Sequence, residues 1–204
     1  MAEPVVIERI IDATPEEAFD LLTQPERLRR WQAVSASIDL RVDGAYRLTV
    51  VPGGIAEGTV TELDPGRRVR LSWGWNGNES LPPGASDLLI ELEPHEDGTL
   101  VRFSHAGLDE EQAQGHAEGW NHYCDRLVVA AAEGDAGADE WANAPEELDH
   151  LTAVEASWAL CQRVMRKFSG EIKDDPTPCS DFTIHELVEH LMGSIRSLGG
   201  MAGA

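Results

Sequence analysis

The sequence predicts an α+β fold in which an antiparallel sheet with one apolar face wraps a single long helix. Three observations carry this. Short runs of alternating apolar and polar residues recur from Val5 to His105, separated by Asp-Gly and Pro-Gly turn signals. The stretch from Asp109 to Ala132 then places Ala113, Ala117, Trp120, Cys124, Leu127, Val128 and Ala131 at helical spacing. An apolar sheet face has to be covered, and no other long helix in that part of the chain is available to cover it. A pocket between sheet and helix is the expected consequence.

The elements follow in order. Val5 to Asp12 is β-branched and reads as a strand. Thr14-Pro15-Glu16-Glu17 is a helix start: Thr14 caps, Pro15 takes the first position, and Glu17 completes a capping box. Ala18, Phe19, Leu21 and Leu22 give that helix an apolar side. A second helical turn begins at Pro25, runs through Leu28 and ends near Trp31.

Strands come next. Val34, Ala36, Ile38 and Leu40 alternate with polar residues, and Asp43-Gly44 turns the chain. Tyr46, Leu48 and Val50 share one face of the following strand. Pro52-Gly53-Gly54 leads into Ile55 to Leu63, which Asp64-Pro65-Gly66 ends. Val69, Leu71, Trp73 and Trp75 are expected on one face of the next strand, and 76–85 is a loop. Leu88, Ile90 and Leu92 alternate with acids. After Glu96-Asp97-Gly98, Val101, Phe103 and His105 share a face. The long helix opens on Asp109, Glu110 and Glu111, where carboxylates suit the positive end of its dipole. Gly119 beside Trp120 is expected to let another backbone approach.

Residues 1–134 form the first domain on this reading, 135–147 a linker, and 148–204 a helical hairpin. The hairpin's first helix carries Leu148, Leu151, Val154, Trp158, Cys161, Met165 and Phe168. Asp175-Pro176-Thr177-Pro178 breaks it. Ser180 or Asp181 caps a second helix with Ile184, Leu187, Val188, Leu191, Ile195 and Leu198, and the glycine-rich end from Gly199 trails off. Two such helices cannot bury both apolar stripes alone, so a homodimer through the tail is expected.

Composition narrows the function classes. An apolar share of 42% is enough for a packed core. The formal net charge of -21 argues against nucleic acid and against an anionic membrane surface. No apolar run approaches the ~20 residues of a membrane span. Cys124, Cys161 and Cys179 form no CxxC, and the first residues lack the basic flank of a secretion signal. A cytoplasmic protein with reduced thiols is expected.

The candidate ligand-binding residues are Trp31, Tyr46, Trp73, Trp75, Phe103, His105, Trp120 and Cys124. The aromatics offer apolar walls with polar edges, suited to a planar or lipid-like molecule, although plain core packing uses the same residues. His105, at a strand end on the inner face, has the chemistry of a general acid or base; a hydrogen-bonded structural histidine is the commoner role. There is no Gly-x-Ser-x-Gly, no spaced Cys-His pair and no glycine-rich phosphate loop, so catalysis is left open. His185 and His190 are five apart and do not make the His-Glu-x-x-His zinc helix; His185 with Glu189, and Glu186 with His190, are spaced to touch.

Several ordered pieces carry a resemblance. They are Ala13-Thr14-Pro15-Glu16-Glu17-Ala18-Phe19, Trp31, Gly44-Ala45-Tyr46-Arg47, and Gly58-Thr59-Val60-Thr61-Glu62-Leu63-Asp64-Pro65. Arg70-Leu71-Ser72-Trp73, Gly98-Thr99-Leu100-Val101, His105 and Gly119-Trp120 follow. From Val5 to about Ala132 the chain resembles the START-like SRPBCC superfamily, in the branch named after the activator of the heat-shock chaperone ATPase. The resemblance implies a helix-grip fold around a deep apolar cavity, with no shared catalytic set. It also implies two roles: binding of a small hydrophobic molecule, or co-chaperone-like regulation of a chaperone ATPase.

The tail resembles another family. Pro176-Thr177-Pro178-Cys179-Ser180-Asp181-Phe182-Thr183, then Leu187-Val188-Glu189-His190-Leu191, is similar to the opening of the DinB-like, mycothiol-dependent maleylpyruvate isomerase group. That resemblance implies His190 as a divalent-metal ligand. It implies a metal- or thiol-dependent isomerase or transferase only where a later helix supplies two further ligands, for which the tail has no counterpart. No other cofactor is expected.

Overall fold

The computed structural model describes residues 2–167 and 173–202. Phe168, expected on the stripe of the first tail helix, lies outside them, as do Gly203 and Ala204. The chain divides into two compact units, Met1–Leu160 and Cys161–Ala204.

The elements run β1 (Val5–Ile11), α1 (Pro15–Thr23), α2 (Pro25–Leu28), β2 (Ser35–Ile38), β3 (Ala45–Val51), β4 (Gly54–Asp64), β5 (Arg68–Trp73), β6 (Ser86–His95), β7 (Gly98–Ala106) and α3 (Glu110–Glu133). Then come α4 (His150–Met165) and α5 (Ile184–Ala202). The strands form one seven-stranded antiparallel sheet in the order β1-β7-β6-β5-β4-β3-β2. Each of β2 to β7 pairs with its chain neighbour, as tight turns require, and β1 returns to pair with β7, placing Ile7 opposite Phe103. The α+β helix-grip architecture expected from the sequence is the one observed.

Local chemistry explains the element ends. Thr14 Oγ1 accepts the Glu17 N–H while Glu17 Oε2 accepts the Thr14 N–H, the reciprocal capping box that starts α1. Asp109 and Gln112 do the same for α3. Gly134 closes α3 in the left-handed conformation (φ 83°) that favours glycine. On β4, Gly58 lies against the carbonyl of Ser72: a Cβ there would sit 1.9 Å from that oxygen.

The inward residues of the strands and one side of α3 make a common core. Leu48, Val60, Val69, Leu71, Leu88, Ile90, Val101 and Phe103 are buried in it with Trp120, Cys124 and Leu127 of α3. Tyr123 and Ala130, absent from the expected stripe, are also buried, and α1 contributes Phe19, Leu21 and Leu22.

Four local expectations are corrected. Strand β5 ends at Trp73, not Trp75; Trp75 keeps one bridge to Ala56 while its N–H donates to Leu81 O in the returning loop (2.8 Å). Among the described residues no backbone approaches Gly119, where an added Cβ would meet nothing within 4 Å. Helix α5 is capped by Thr183 rather than Ser180 or Asp181, because Thr183 and Glu186 form the reciprocal pair. It also continues to Ala202 through Gly200, a glycine cost of about 1 kcal/mol that the helix absorbs.

Helix α4 turns an unexpected side inward. Glu155 is buried: its carboxylate accepts from the Gly53 N–H (2.9 Å) and from Thr49 Oγ1 (3.3 Å). Leu148, Leu151 and Val154 of the apolar stripe are exposed instead. Ala159, one turn on from Glu155, is buried on the same face, so the charge-assisted bond to a turn amide and a small apolar contact together fix the helix face.

Candidate ligand cavity

A cavity of about 360 Å³ lies between the sheet and α3. Val50 and Val51 of β3, Trp73 of β5 and Trp75 beyond it form one side. Gln112, Gly115, His116, Gly119, Trp120 and Tyr123 of α3 form the other, and Gln32 and Trp141 complete it. The spacing of Gly115, Gly119 and Tyr123 puts them on one face of the helix, one turn apart. Neither glycine would bring a Cβ within 4 Å of anything, so the missing side chains are themselves part of the open volume.

The aromatic residues form a continuous array. Ring centroids are 6.5 Å apart for Trp31 and Phe103, 5.2 Å for Phe103 and Trp120, 5.4 Å for Trp120 and Trp73, and 5.8 Å for Trp73 and Trp75. Only one end of the array reaches the cavity. Trp73, Trp75 and Trp120 line it. Trp31 is core, with its indole N–H donating to Leu21 O (2.9 Å). Phe103 is core as well. Tyr46 packs on Trp73 and donates its hydroxyl hydrogen to Ser72 O (2.8 Å); burial raises its pKa. Cys124 is fully buried, and burial pushes its thiol up to about 12, which leaves it un-ionised and unreactive at neutral pH.

Two histidines sit among these rings as neutral bases. His105 has no exposed surface. Its Nδ1 accepts the Trp120 indole N–H (3.0 Å), so its proton is on Nε2, which meets Ser86 Oγ at 2.8 Å; Ser86 in turn donates to Trp73 O. Desolvation, and secondarily His116, lower its pKa to about 3. This is a hydrogen-bonded structural histidine, held away from the cavity wall. His116 is the opposite tautomer: Nδ1 donates to Gln112 O (2.8 Å) and Nε2 accepts from the Trp75 indole (3.2 Å). Burial lowers its pKa too. The Trp73 indole N–H, by contrast, is buried with no hydrogen-bond partner among the described residues.

Sequence reasoning did not single out His116, Gln32, Tyr123, Gly115 or Trp141. Helical spacing from Trp120 would have found Tyr123 and His116. Nothing in the sequence brings Trp141 to this site.

His190 is stacked on Phe182 (5.3 Å) in the second unit. Among the described residues the one group with three metal-capable side chains is exposed His95, Glu96 and Asp97, which does not include His190. His185 and Glu189 do approach, at 3.5 Å. No helix of the described residues is long and apolar enough to cross a membrane.

The comparisons with known proteins bear on the first unit. The family model described as activator of Hsp90 ATPase homolog 1-like protein matches residues 12–132. The chain belongs to this family. An AHSA1-like protein from Rhizobium etli, solved by NMR, is 38% identical, with a TM-score of 0.55 over 74% of this chain and 96% of that one. The family likeness extends to an Aha1 dimer from Colwellia psychrerythraea, 25% identical, with a TM-score of 0.58 over 66% of this chain and 98% of that one. A protein of Micromonospora echinospora shares the fold at 23% identity and a TM-score of 0.53, over 80% of this chain and 88% of that one. No curated protein matches the chain. The family assignment supports the START-like SRPBCC branch for the first unit.

Proposed function

We propose that the first unit is a binding domain for a small, uncharged, hydrophobic molecule held between the sheet and α3. The observation that carries this is the lining. In a chain of net charge -21, the cavity wall holds no aspartate, glutamate, lysine or arginine. Its one titratable imidazole, His116, is kept neutral by burial and by accepting an indole N–H. A volume near 360 Å³ lies at the small end of the range for ligand sites.

The test is titration with the neutral fluorophore N-phenyl-1-naphthylamine, on the full chain and on Gly119→Leu. The substitution puts a side chain into open volume and favours the helix, so the variant folds with the cavity filled. Saturable binding that Gly119→Leu removes supports the reading. Binding that it leaves unchanged, or no saturable binding to the parent chain, overturns it.

A second reading is co-chaperone-like: the family carries the name of an Hsp90 ATPase activator. A rise in the ATPase rate of an Hsp90-type chaperone on adding the chain supports it, and an unchanged rate removes it. Association between copies is supported by the exposed Leu187, Leu198 and Met201 on α5, and by the dimeric state of the Colwellia psychrerythraea relative. Sedimentation showing only monomer at high concentration would contradict self-association. Metal- or thiol-dependent chemistry in the tail rests on His190 alone, and retention of zinc on dialysis is its measure.

A further inference from the structure

Residues 135–143 contain no helix or strand. Their glycine, alanine and aspartate content is that of a loose connector, yet they are fastened along their length to the helix-grip domain. Asp135 pairs with Arg30 (2.8 Å), and the Ala136 N–H donates to Arg30 O (3.0 Å). The Arg126 guanidinium, projecting from α3, donates to Gly137 O (2.8 Å), to Ala138 O (3.4 Å) and to Trp31 O (2.9 Å). One arginine therefore ties the segment to both the helix and the core.

The far end closes differently. Asp139 Oδ1 accepts from His122 Nε2 (2.9 Å) on α3 and also from the Trp141 backbone N–H (3.0 Å). Trp141 lies flat on the His122 ring, with centroids 3.8 Å apart and planes 5° apart, and meets Tyr123 edge-on at 6.0 Å. It lines the cavity on one side and is 40% exposed on the other. An exposed large aromatic is the uncommon arrangement for a tryptophan, and here its inner face is a cavity wall. The residues matched by the family model end at 132, so this wall lies outside the matched segment.

We propose that residues 135–143 are a strap that completes the ligand site: it holds Trp141 as the outer wall, and an uncharged apolar molecule enters and leaves when the Asp139–His122 clasp lets that wall swing away. This rests on the cavity being a ligand site. The Arg126 and Arg30 contacts fix the near end as a root, while the clasp consists of one carboxylate on His122 and the Trp141 ring laid against His122 and Tyr123. Opening the clasp exposes the cavity without disturbing any strand pairing.

The wall and the clasp predict different kinetics. Stopped-flow with N-phenyl-1-naphthylamine on the full chain reads both rates. Trp141→Ala removes both the wall and its contact with the bound probe, so association should quicken as in the loosened strap, and dissociation should quicken more, by about tenfold, with a loss of affinity. Asp139→Ala leaves the ring but loosens its tether; association and dissociation should both quicken, by about fivefold, with affinity nearly unchanged. Trp141→Phe should keep dissociation within about threefold of the parent. If Trp141→Ala and Asp139→Ala both match the parent chain while Gly119→Leu still abolishes binding, the cavity is real and the strap proposal is overturned. If Gly119→Leu binds as the parent does, the cavity reading itself falls, and the strap proposal with it.

Discussion

The indole N–H of Trp120 donates to Nδ1 of His105 across 3.0 Å, joining the covering helix to strand β7. From His105 the chain of bonds continues through Ser86 of β6 to the Trp73 carbonyl of β5. A helix and three strands thus share one polar thread inside an apolar core. The thread requires neutral His105, because a proton on Nδ1 would face an N–H rather than accept from it.

That requirement has a pH signature. An unfolded histidine takes up a proton near 6.5, whereas folded His105 resists until about 3, mainly through desolvation. The unfolded state therefore binds more protons between those values, and stability falls as pH drops through that window. The slope from this one group is at most about 1.4 kcal/mol per pH unit. His116, shifted the same way, adds to it. Urea unfolding midpoints from pH 7 to pH 4.5 should fall less steeply in His105→Gln, whose amide can still accept from Trp120; equal slopes would contradict a neutral His105.

Two buried tryptophans should respond unequally to the same change. Trp31 is 1% exposed and Trp73 2%, but only the Trp31 N–H has a protein acceptor, Leu21 O. Trp31→Phe strands that carbonyl, while Trp73→Phe removes a donor already unpaired. Trp31→Phe should be the more destabilising by about 1–2 kcal/mol. Thermal melting of the two variants checks the order, and a reversed order would refute it.

Filling the helix should stabilise it. Gly115→Ala places a methyl where nothing lies within 4 Å, and it removes a glycine from a helix interior. A gain of about 0.8–1 kcal/mol is expected, or roughly 2–4 °C in Tm for a chain of this size. A lower Tm would mean that this position is not open.

Helix α4 should depend on a carboxylate. Glu155→Ala deprives the Gly53 amide of its acceptor. Hydrogen exchange at Gly53 should quicken about tenfold, with the amides of β6 and β7 unchanged. Unchanged exchange at Gly53 would show that the contact holds nothing in place.

Much of the fold was legible in the chain because its signals are local. The Thr14–Glu17 box, the Asp43-Gly44 and Pro52-Gly53 turns, and the alternation of Val101, Phe103 and His105 each need only a few neighbouring residues to specify them. The errors lie where contact across the chain outweighs local preference. Trp75 continues the alternation of β5, but its N–H is taken by Leu81 O, so the strand stops two residues earlier. Glu155 belongs to the polar face by pattern and is buried because a turn amide needs an acceptor.

The cavity divides the same way. Period-two and helical spacing by themselves determined that Trp73 and Trp120 would share an interior, since alternation assigns a face and both faces point at the same core. Whether that interior is packed or hollow was decided only in three dimensions. It depends on Gly115 and Gly119 opening onto space, on His116 turning toward Trp75, and on Arg126 drawing residues 135–139 across α3 so that Trp141 closes the side. Volume is what remains after all the side chains are placed, and no short window of sequence encodes a remainder.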